Sequence, residues 1–260
     1  MLTTRSKDGT TLAYDVTGSG PALVYITGAI CYRDFKPIVD DSEKFGEEFA
    51  VYTYDRRGRG DSGDTPPYAL EREIEDLEAI IDAAGGSAFL YGHSSGAVLA
   101  LEAALRIPRK VSKVVLFDAP YVHDEKEKAK YALLRQKILS LLGKGKGASA
   151  LRAFLIGIGM PRIFAYLLPV MPGWQTMKAL APTLEYDLLL TSDLPPVGRA
   201  AEIKVPTQII YGGKSPASIH SVAKQLAEAI PGSRLEELAG QNHMVAAQAL
   251  LPLLSSFLKN

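Results

Sequence analysis

Short β-rich runs alternate with helical patterns along most of this 260-residue chain. This alternation limits the possible folds most, because strands separated by helices form a mostly parallel sheet flanked by those helices. The β-rich runs occupy residues 2–6, 11–16, 22–27, 49–54, 87–91, 111–117, 207–211 and 234–238. The helical patterns occupy residues 68–84, 97–106, 218–230 and 245–258. We therefore predict an α/β fold with a mostly parallel eight-stranded sheet, opened by a hairpin at Asp8-Gly9.

The stretch from residue 121 to residue 204 departs from this alternation. It is too long for a simple crossover, contains helical patterns and several prolines, and shows no clear strand. We predict that residues 121–204 form a helical insertion, a cap or lid folded over the carboxyl ends of the strands. The α/β core would then consist of residues 1–120 and 205–260.

Composition argues against several classes of function. Lys+Arg and Asp+Glu balance at 29 each, so there is no excess positive charge to hold a nucleic acid. No apolar run reaches the roughly 18 residues needed to cross a bilayer, and the first residues lack the pattern of a signal peptide. Cys31 is the single cysteine, so no intrachain disulfide can form. We expect a cytoplasmic monomer or homodimer that binds neither nucleic acid nor membranes.

One segment carries the pattern of a catalytic nucleophile. Gly92-His-Ser94-Ser-Gly96 matches G-x-S-x-G, with a β-run before it and an apolar helical pattern after it. A sharp strand-to-helix turn there would present Ser94 at a helix N-terminus, where developing negative charge is stabilised. The two glycines let the neighbouring backbone pass without Cβ clashes. We predict Ser94 as the nucleophile, and Ser95 is the poorer candidate because the glycines flank it unevenly.

The chain resembles the α/β-hydrolase superfamily along nearly its whole length. Residues 92–96 are similar to the nucleophile elbow of that superfamily, and residues 54–62 are similar to its Asp-x-Arg-Gly-x-Gly-x-Ser loop. Thr27-Gly28-Ala29 stands where many members have His-Gly-x, and the loop ending at His243 stands where the family's histidine lies. The resemblance implies the α/β-hydrolase fold and a hydrolytic reaction, and it implies no metal and no organic cofactor.

The general base is predicted from chain order. The four histidines are His93, His123, His220 and His243. In the superfamily the order is serine, acid, histidine, and only His243 follows the last β-run in a suitable loop. We expect His243 to take the proton of Ser94 and to return it to the leaving group.

The acid departs from the family pattern. It usually follows the seventh strand, but here Ser215 stands in that place and residues 207–227 contain no Asp or Glu. Some members of the superfamily carry their acid at the end of the sixth strand, where this chain has Asp118. We hypothesise that Asp118 orients His243, although it could instead cap the next segment. Asp124 and Asp193, in the insertion, are weaker candidates.

Ester chemistry also needs two backbone N–H groups to hold the oxyanion. Ser95, directly after the nucleophile, would supply one of them. By the resemblance, Ala29 would supply the other. The predicted substrate-binding residues are Gly28, Ile30, Tyr32 and His93.

These features predict a serine hydrolase that acts on a carboxylic ester through an acyl-serine intermediate. The acyl group would be small to medium and hydrophobic, because the insertion is rich in apolar residues: Leu151, Phe154, Leu155, Ile158, Phe164, Leu167 and Leu168. The same site could serve a thioesterase, an acyltransferase, a carbon–carbon bond hydrolase or a perhydrolase. A non-catalytic small-molecule binding protein with a vestigial site also stays open, because Ser215 replaces the usual acid.

Overall fold

The computed structural model of the protein describes residues 1–170 and 173–260. Its central sheet contains β1 (Leu2–Arg5), β2 (Thr11–Thr17), β3 (Ala22–Ile26), β4 (Ala50–Tyr54), β5 (Ala88–His93), β6 (Val111–Phe117), β7 (Thr207–Gly212) and β8 (Arg234–Leu238). The strand order is β1-β2-β4-β3-β5-β6-β7-β8. β2 pairs antiparallel with β1 and β4, and every other pairing is parallel. The predicted mostly parallel, eight-stranded sheet is confirmed.

Helices connect the strands and cover the sheet. They are α1 (Lys36–Phe45), α2 (Leu70–Ala83), α3 (Ser95–Arg106), α4 (Glu125–Gly143), α5 (Gly147–Gly157), α6 (Arg162–Leu167), α7 (Trp174–Ala179), α8 (Leu184–Leu190), α9 (Val197–Ala200), α10 (Ala217–Ala229) and α11 (Ala247–Leu258). The sequence patterns did not single out α1, which begins with a proline in its first turn and buries Ile38, Ser42 and Phe45. Within the described ranges, no helix is both long and apolar enough to cross a membrane.

The strand side chains alternate between two apolar layers. Val24 and Ile26 of β3 pack in the layer that contains α2, α3 and α10. Leu23 and Tyr25 pack in the opposite layer, with α1 and α11. Helices on both faces leave the carboxyl ends of the parallel strands as the edge where a site can form.

Helices α4 to α9 lie between β6 and β7, inside the predicted insertion 121–204, which we call the helical insertion. It has an apolar core of its own: Ile138, Ala150, Leu151, Phe154, Leu155, Trp174, Ala181, Leu184 and Leu188. Ala29 and Ile30, in the loop after β3, pack against this core. The helical insertion therefore contacts the carboxyl edge of the sheet, and its described part contains no strand.

Candidate active site

Ser94 lies in the turn between β5 and α3. Its backbone has φ 57° and ψ −128°, a left-handed conformation that residues other than glycine rarely adopt. A Cβ added at Gly92 would lie 2.4 Å from the carbonyl oxygen of Gly96, and one added at Gly96 would lie 2.1 Å from that of Ile26. Both positions therefore require glycine, because only residues without a Cβ fit the close backbone contacts of this sharp turn.

Left-handed backbone marks three neighbouring strand ends. Among the described non-glycine residues, positive φ occurs at Ile30 (53°), Ser94 (57°) and Asp118 (47°). These residues follow β3, β5 and β6, which are adjacent in the sheet. Such strain persists only where the surroundings enforce it, and it concentrates at functional sites. The backbone alone thus marks this edge as the candidate active site.

The carboxylate of Asp118 contacts His243 and two further groups, Ser215 and Gly212. The carboxylate is buried, and its Oδ2 lies 3.0 Å from Nδ1 of His243. The same oxygen accepts a hydrogen bond from Ser215 Oγ at 2.5 Å, and Oδ1 accepts one from the backbone N–H of Gly212 at 3.0 Å. Ser215, at the usual position of the acid, therefore donates to the carboxylate of Asp118, which is the carboxylate that contacts His243.

The contact with Asp118 selects one form of the His243 ring. A ring that donates from Nδ1 to a carboxylate keeps Nε2 unprotonated when it is neutral, so Nε2 can accept a proton. The side chain of His243 is 35% exposed, which leaves it open to substrate. In residues 1–170 and 173–260, no hydrogen bond joins Ser94 Oγ to this ring. Such contacts commonly tighten only in the complex with substrate.

His93 supports the loop that carries His243. Its Nε2 donates a hydrogen bond to the carbonyl oxygen of His243 at 2.8 Å, and the two rings lie 5.0 Å apart. Burial, and then the neighbouring His243, lower the pKa of His93 to about 4, so this side chain is neutral near pH 7. The structure thus gives His93 a structural contact, and its predicted contact with substrate stays a prediction.

The remaining histidines and acids lie elsewhere. His220 contacts the carbonyl oxygen of Gly212 at 3.0 Å, and His123 pairs with Asp124 at 3.1 Å. Asp193 pairs with Lys128 and is exposed. In the described part of the chain, Asp118 is the carboxylate that contacts His243.

The loop after β3 lies directly against Ser94. A Cβ added at Gly28 would lie 2.9 Å from Cβ of Ser94 and 3.4 Å from its Oγ. The next residue is Ala29, and Ser95 is the first residue of α3. Within the described ranges, the backbone N–H groups of Ala29 and Ser95 donate to no other protein group. Their predicted role as donors to an oxyanion stays a prediction.

The other two predicted substrate-binding residues lie on the same loop. Ile30 packs against the core of the helical insertion. The ring of Tyr32 lies 5.8 Å from that of Phe35. The loop therefore connects Ser94 to the helical insertion.

A buried ionic network lies beside the elbow, and its central residue was not predicted from the sequence. Asp187 of α8 accepts hydrogen bonds from Ser95 Oγ at 2.7 Å, from Arg56 Nη1 at 2.9 Å and from Arg59 Nη2 at 2.8 Å. Burial raises the pKa of the Asp187 carboxyl, but Arg59 and Arg56 hold it below its ordinary value. Asp187 is therefore ionised, and it joins the helical insertion to the elbow.

The two arginines continue the network on the core side. Arg56 forms a two-pronged ion pair with Glu73 of α2, with contacts of 2.7 and 2.8 Å. Arg59 donates from Nη1 to the carbonyl oxygen of Gly28 at 2.6 Å. All of these charged side chains are buried, and two positive charges face two negative ones, so the network compensates its own charges.

The residues predicted to line an acyl pocket divide into two groups. Those buried in the core of the helical insertion, or packed against it, are Leu151, Phe154, Leu155 and Leu168. Ile158, Phe164 and Leu167 are instead 51%, 59% and 49% exposed. The expected contact of these three with an acyl group stays a prediction.

Comparisons with known proteins identify relatives along nearly the whole chain. Residues 18–251 match the model of the alpha/beta hydrolase family. The crystal structure of an alpha/beta hydrolase from Sphaerobacter thermophilus is similar, with 41% identity and a TM-score of 0.88 over 99% of this chain and 100% of that one. An esterase from Exiguobacterium antarcticum shares the fold, with 20% identity and a TM-score of 0.77 over 99% of each chain. A curated sequence of Azorhizobium caulinodans named "Putative carbamate hydrolase RutD" is 27% identical over 91% of this chain and 89% of its own length.

Proposed function

Because this chain belongs to the alpha/beta hydrolase family and is a hydrolase, we propose that it cleaves a carboxylic ester through an acyl-serine intermediate. Ser94 is the nucleophile, His243 the general base and Asp118 the acid that orients it. The observation that carries the proposal is the 3.0 Å contact between the buried Asp118 carboxylate and Nδ1 of His243, next to the elbow of Ser94.

In the first half of the reaction, Ser94 Oγ attacks the carbonyl carbon of the ester while Nε2 of His243 takes its proton. The carbonyl oxygen becomes an oxyanion, and the N–H groups of Ala29 and Ser95 stabilise it. The intermediate then collapses, the bond to the alcohol oxygen breaks, and the His243 imidazolium protonates that oxygen. Asp118 stabilises the imidazolium throughout.

In the second half, a water molecule attacks the acyl-Ser94 ester and His243 accepts the water's proton. The same N–H groups hold the second oxyanion. Collapse of this intermediate breaks the bond to Ser94 Oγ, which regains its proton from His243. The products are an alcohol and a carboxylic acid, and the enzyme returns to its first state.

We propose that the substrate carries a small to medium hydrophobic acyl group, and the apolar character of the helical insertion supports this proposal. Its apolar core packs against Ala29 and Ile30, and this packing supports an apolar environment beside the proposed oxyanion hole. A substrate panel should therefore compare acyl chains from acetyl to octanoyl. The panel should also contain a lactone, a thioester, a carbamate and a β-diketone, because the same catalytic residues could act on each of them.

Intact-mass analysis after treatment with a fluorophosphonate tests the proposal. The reagent transfers its phosphonyl group to an activated serine with loss of fluoride. We expect wild type to gain one adduct, Ser94→Ala to gain none, and Asp118→Asn to react far more slowly. Labelling of Ser94→Ala at the wild-type rate, or no labelling of wild type, would contradict the proposed nucleophile.

A further inference from the structure

We propose that Asp187 and Arg59 are positioning residues that orient the two N–H donors of the oxyanion hole. This inference rests on the proposed function, since it concerns how the site holds the oxyanion. Asp187 belongs to α8 of the helical insertion, whereas Arg59 follows β4 of the core. The proposal therefore makes the helical insertion a contributor to transition-state stabilisation.

The first donor is oriented through its own peptide bond. The carbonyl of Gly28 and the N–H of Ala29 belong to one planar peptide unit and point in opposite directions. Arg59 donates to that carbonyl oxygen at 2.6 Å, so it fixes the rotation of the plane and hence the direction of the N–H. The positively charged guanidinium that donates to the carbonyl oxygen also draws electron density from the amide, which strengthens the N–H as a donor.

The position of Arg59 is set in turn by Asp187. The Asp187 carboxylate contacts Nη2 of Arg59 through both of its oxygens, at 3.0 and 2.8 Å. Arg59 is fully buried, so no solvent competes for its guanidinium. One guanidinium thus bridges a carboxylate of the helical insertion and a carbonyl group beside the nucleophile.

The second donor is held by the same carboxylate. Ser95 is the first residue of α3, and its Oγ donates to Asp187 Oδ1 at 2.7 Å. This contact fixes the side chain of the residue whose backbone N–H follows the nucleophile. Asp187 therefore acts on both halves of the proposed oxyanion hole, directly at Ser95 and through Arg59 at Ala29.

The chain offers a matched control in the same loop. Arg57 and Asp76 form a second buried ion pair, with contacts of 2.7 Å on both carboxylate oxygens. The other contacts of Arg57 in the described residues are the side chain of Asp8 and the carbonyl oxygen of Arg72. This pair matches the Arg59–Asp187 pair in chemistry and burial but does not contact the elbow or the loop after β3.

The experiment compares Asp187→Asn, Arg59→Lys and Asp76→Asn with wild type. For each protein we would measure kcat and KM on an activated ester, the fluorophosphonate labelling rate, the melting temperature, and the affinity for a trifluoromethyl ketone, which forms a tetrahedral adduct. We expect Asp187→Asn to lower kcat by about 100-fold with little change in KM, as for the loss of an oxyanion donor. Affinity for the ketone should fall in parallel, and Asp76→Asn should keep kcat within about threefold of wild type at a similar loss of melting temperature.

Arg59→Lys covers the case in which Asp187→Asn does not fold. Lysine keeps the positive charge, but its compact ammonium lacks the planar fork that spans Asp187 and the Gly28 carbonyl. We expect a loss of about tenfold in kcat. The inference would be overturned if the Asp187 or Arg59 variants kept the kcat of wild type, or if Asp76→Asn lost as much kcat as they do. The proposed function would still stand in that case, provided that the wild-type protein is labelled by the fluorophosphonate. Failure of wild type to label would overturn both.

Discussion

Replacement of Asp118 by asparagine should lower kcat by about 10⁴-fold, because the amide presents the wrong group to His243. In the structure Asp118 Oδ2 accepts hydrogen bonds from His243 Nδ1 and Ser215 Oγ, and Oδ1 accepts one from the backbone N–H of Gly212. An asparagine that keeps its carbonyl oxygen toward Gly212 turns its NH₂ group toward His243. That group donates to Nδ1 and drives the ring proton to Nε2, which can then no longer accept the proton of Ser94.

This loss corresponds to about 5 kcal/mol of activation free energy, at 1.36 kcal/mol for each factor of ten. Asparagine is also a suitable replacement for the backbone, because it tolerates the left-handed φ of 47° that Asp118 adopts. Steady-state hydrolysis of a p-nitrophenyl ester measures kcat, and thermal unfolding checks that the variant is folded. A folded Asp118→Asn protein that loses less than tenfold in kcat would refute the assignment.

A second variant separates loss of the charge from disturbance of the loop. Ser215 Oγ lies 2.5 Å from the carboxylate oxygen that also contacts His243, so an aspartate at position 215 can bring a carboxylate to the same side of the ring. The double variant Asp118→Asn with Ser215→Asp should therefore recover at least about tenfold of the lost kcat. Ser215→Ala in the Asp118→Asn background is the control, and recovery there would point to loop relaxation.

Two further predictions concern the surroundings of the nucleophile. Gly28→Ala should lower kcat by about 10- to 100-fold, because its Cβ would lie 2.9 Å from Cβ of Ser94; Gly143→Ala, whose Cβ meets nothing within 4 Å, is the control, and equal kcat values in the two variants would contradict the prediction. The second prediction concerns stability. Burial, and then His243, lower the pKa of His93 to about 4, whereas in an unfolded chain it is about 6.5. The unfolded state therefore binds more protons between about pH 6.5 and about pH 4, and the free energy of unfolding falls as the pH drops through this window. The loss should be about 2 kcal/mol between pH 7 and pH 5 in urea unfolding, and an equal pH dependence in His93→Gln would show that His93 is not its source.

Much of the sheet and the elbow could be predicted because their signals are local. The β-runs 111–117 and 234–238 coincide with β6 and β8, since each follows a helix end or a turn. The valines and the phenylalanine of β6 also favour a strand. The elbow needs only five consecutive residues, and both of its glycines are required by close backbone contacts. Asp118 was predicted as the acid by a different route: residues 207–227 contain no Asp or Glu, and the resemblance implies that the acid can stand at the end of the sixth strand instead.

The network around Asp187 could not be predicted in this way. Asp187 lies 128 residues from Arg59 in the sequence, and a single aspartate on a short helix of an insertion is typical of a solvated helix face. A signal existed on the other partner, because three arginines within residues 56–59 directly follow a buried strand and need carboxylates to compensate them. The sequence does not say which carboxylates these are, since Glu73, Asp76 and Asp187 reach the loop only after the chain has folded.

The contacts around the strained residues explain why the helical insertion is part of the site. Left-handed backbone costs about 1–3 kcal/mol at each non-glycine residue and persists only when neighbours enforce it. Asp118 is held by core groups, through Gly212 and Ser215, but Ile30 packs on the core of the insertion. The residue after Ser94 donates to Asp187 of the insertion, and Asp187 also forms buried ion pairs with Arg56 and Arg59. Removing one partner of a buried ion pair costs about 3–5 kcal/mol. Removal of the insertion would therefore leave Arg59 without its carboxylate partner and release the loop beside Ser94, so the insertion helps to build the candidate site.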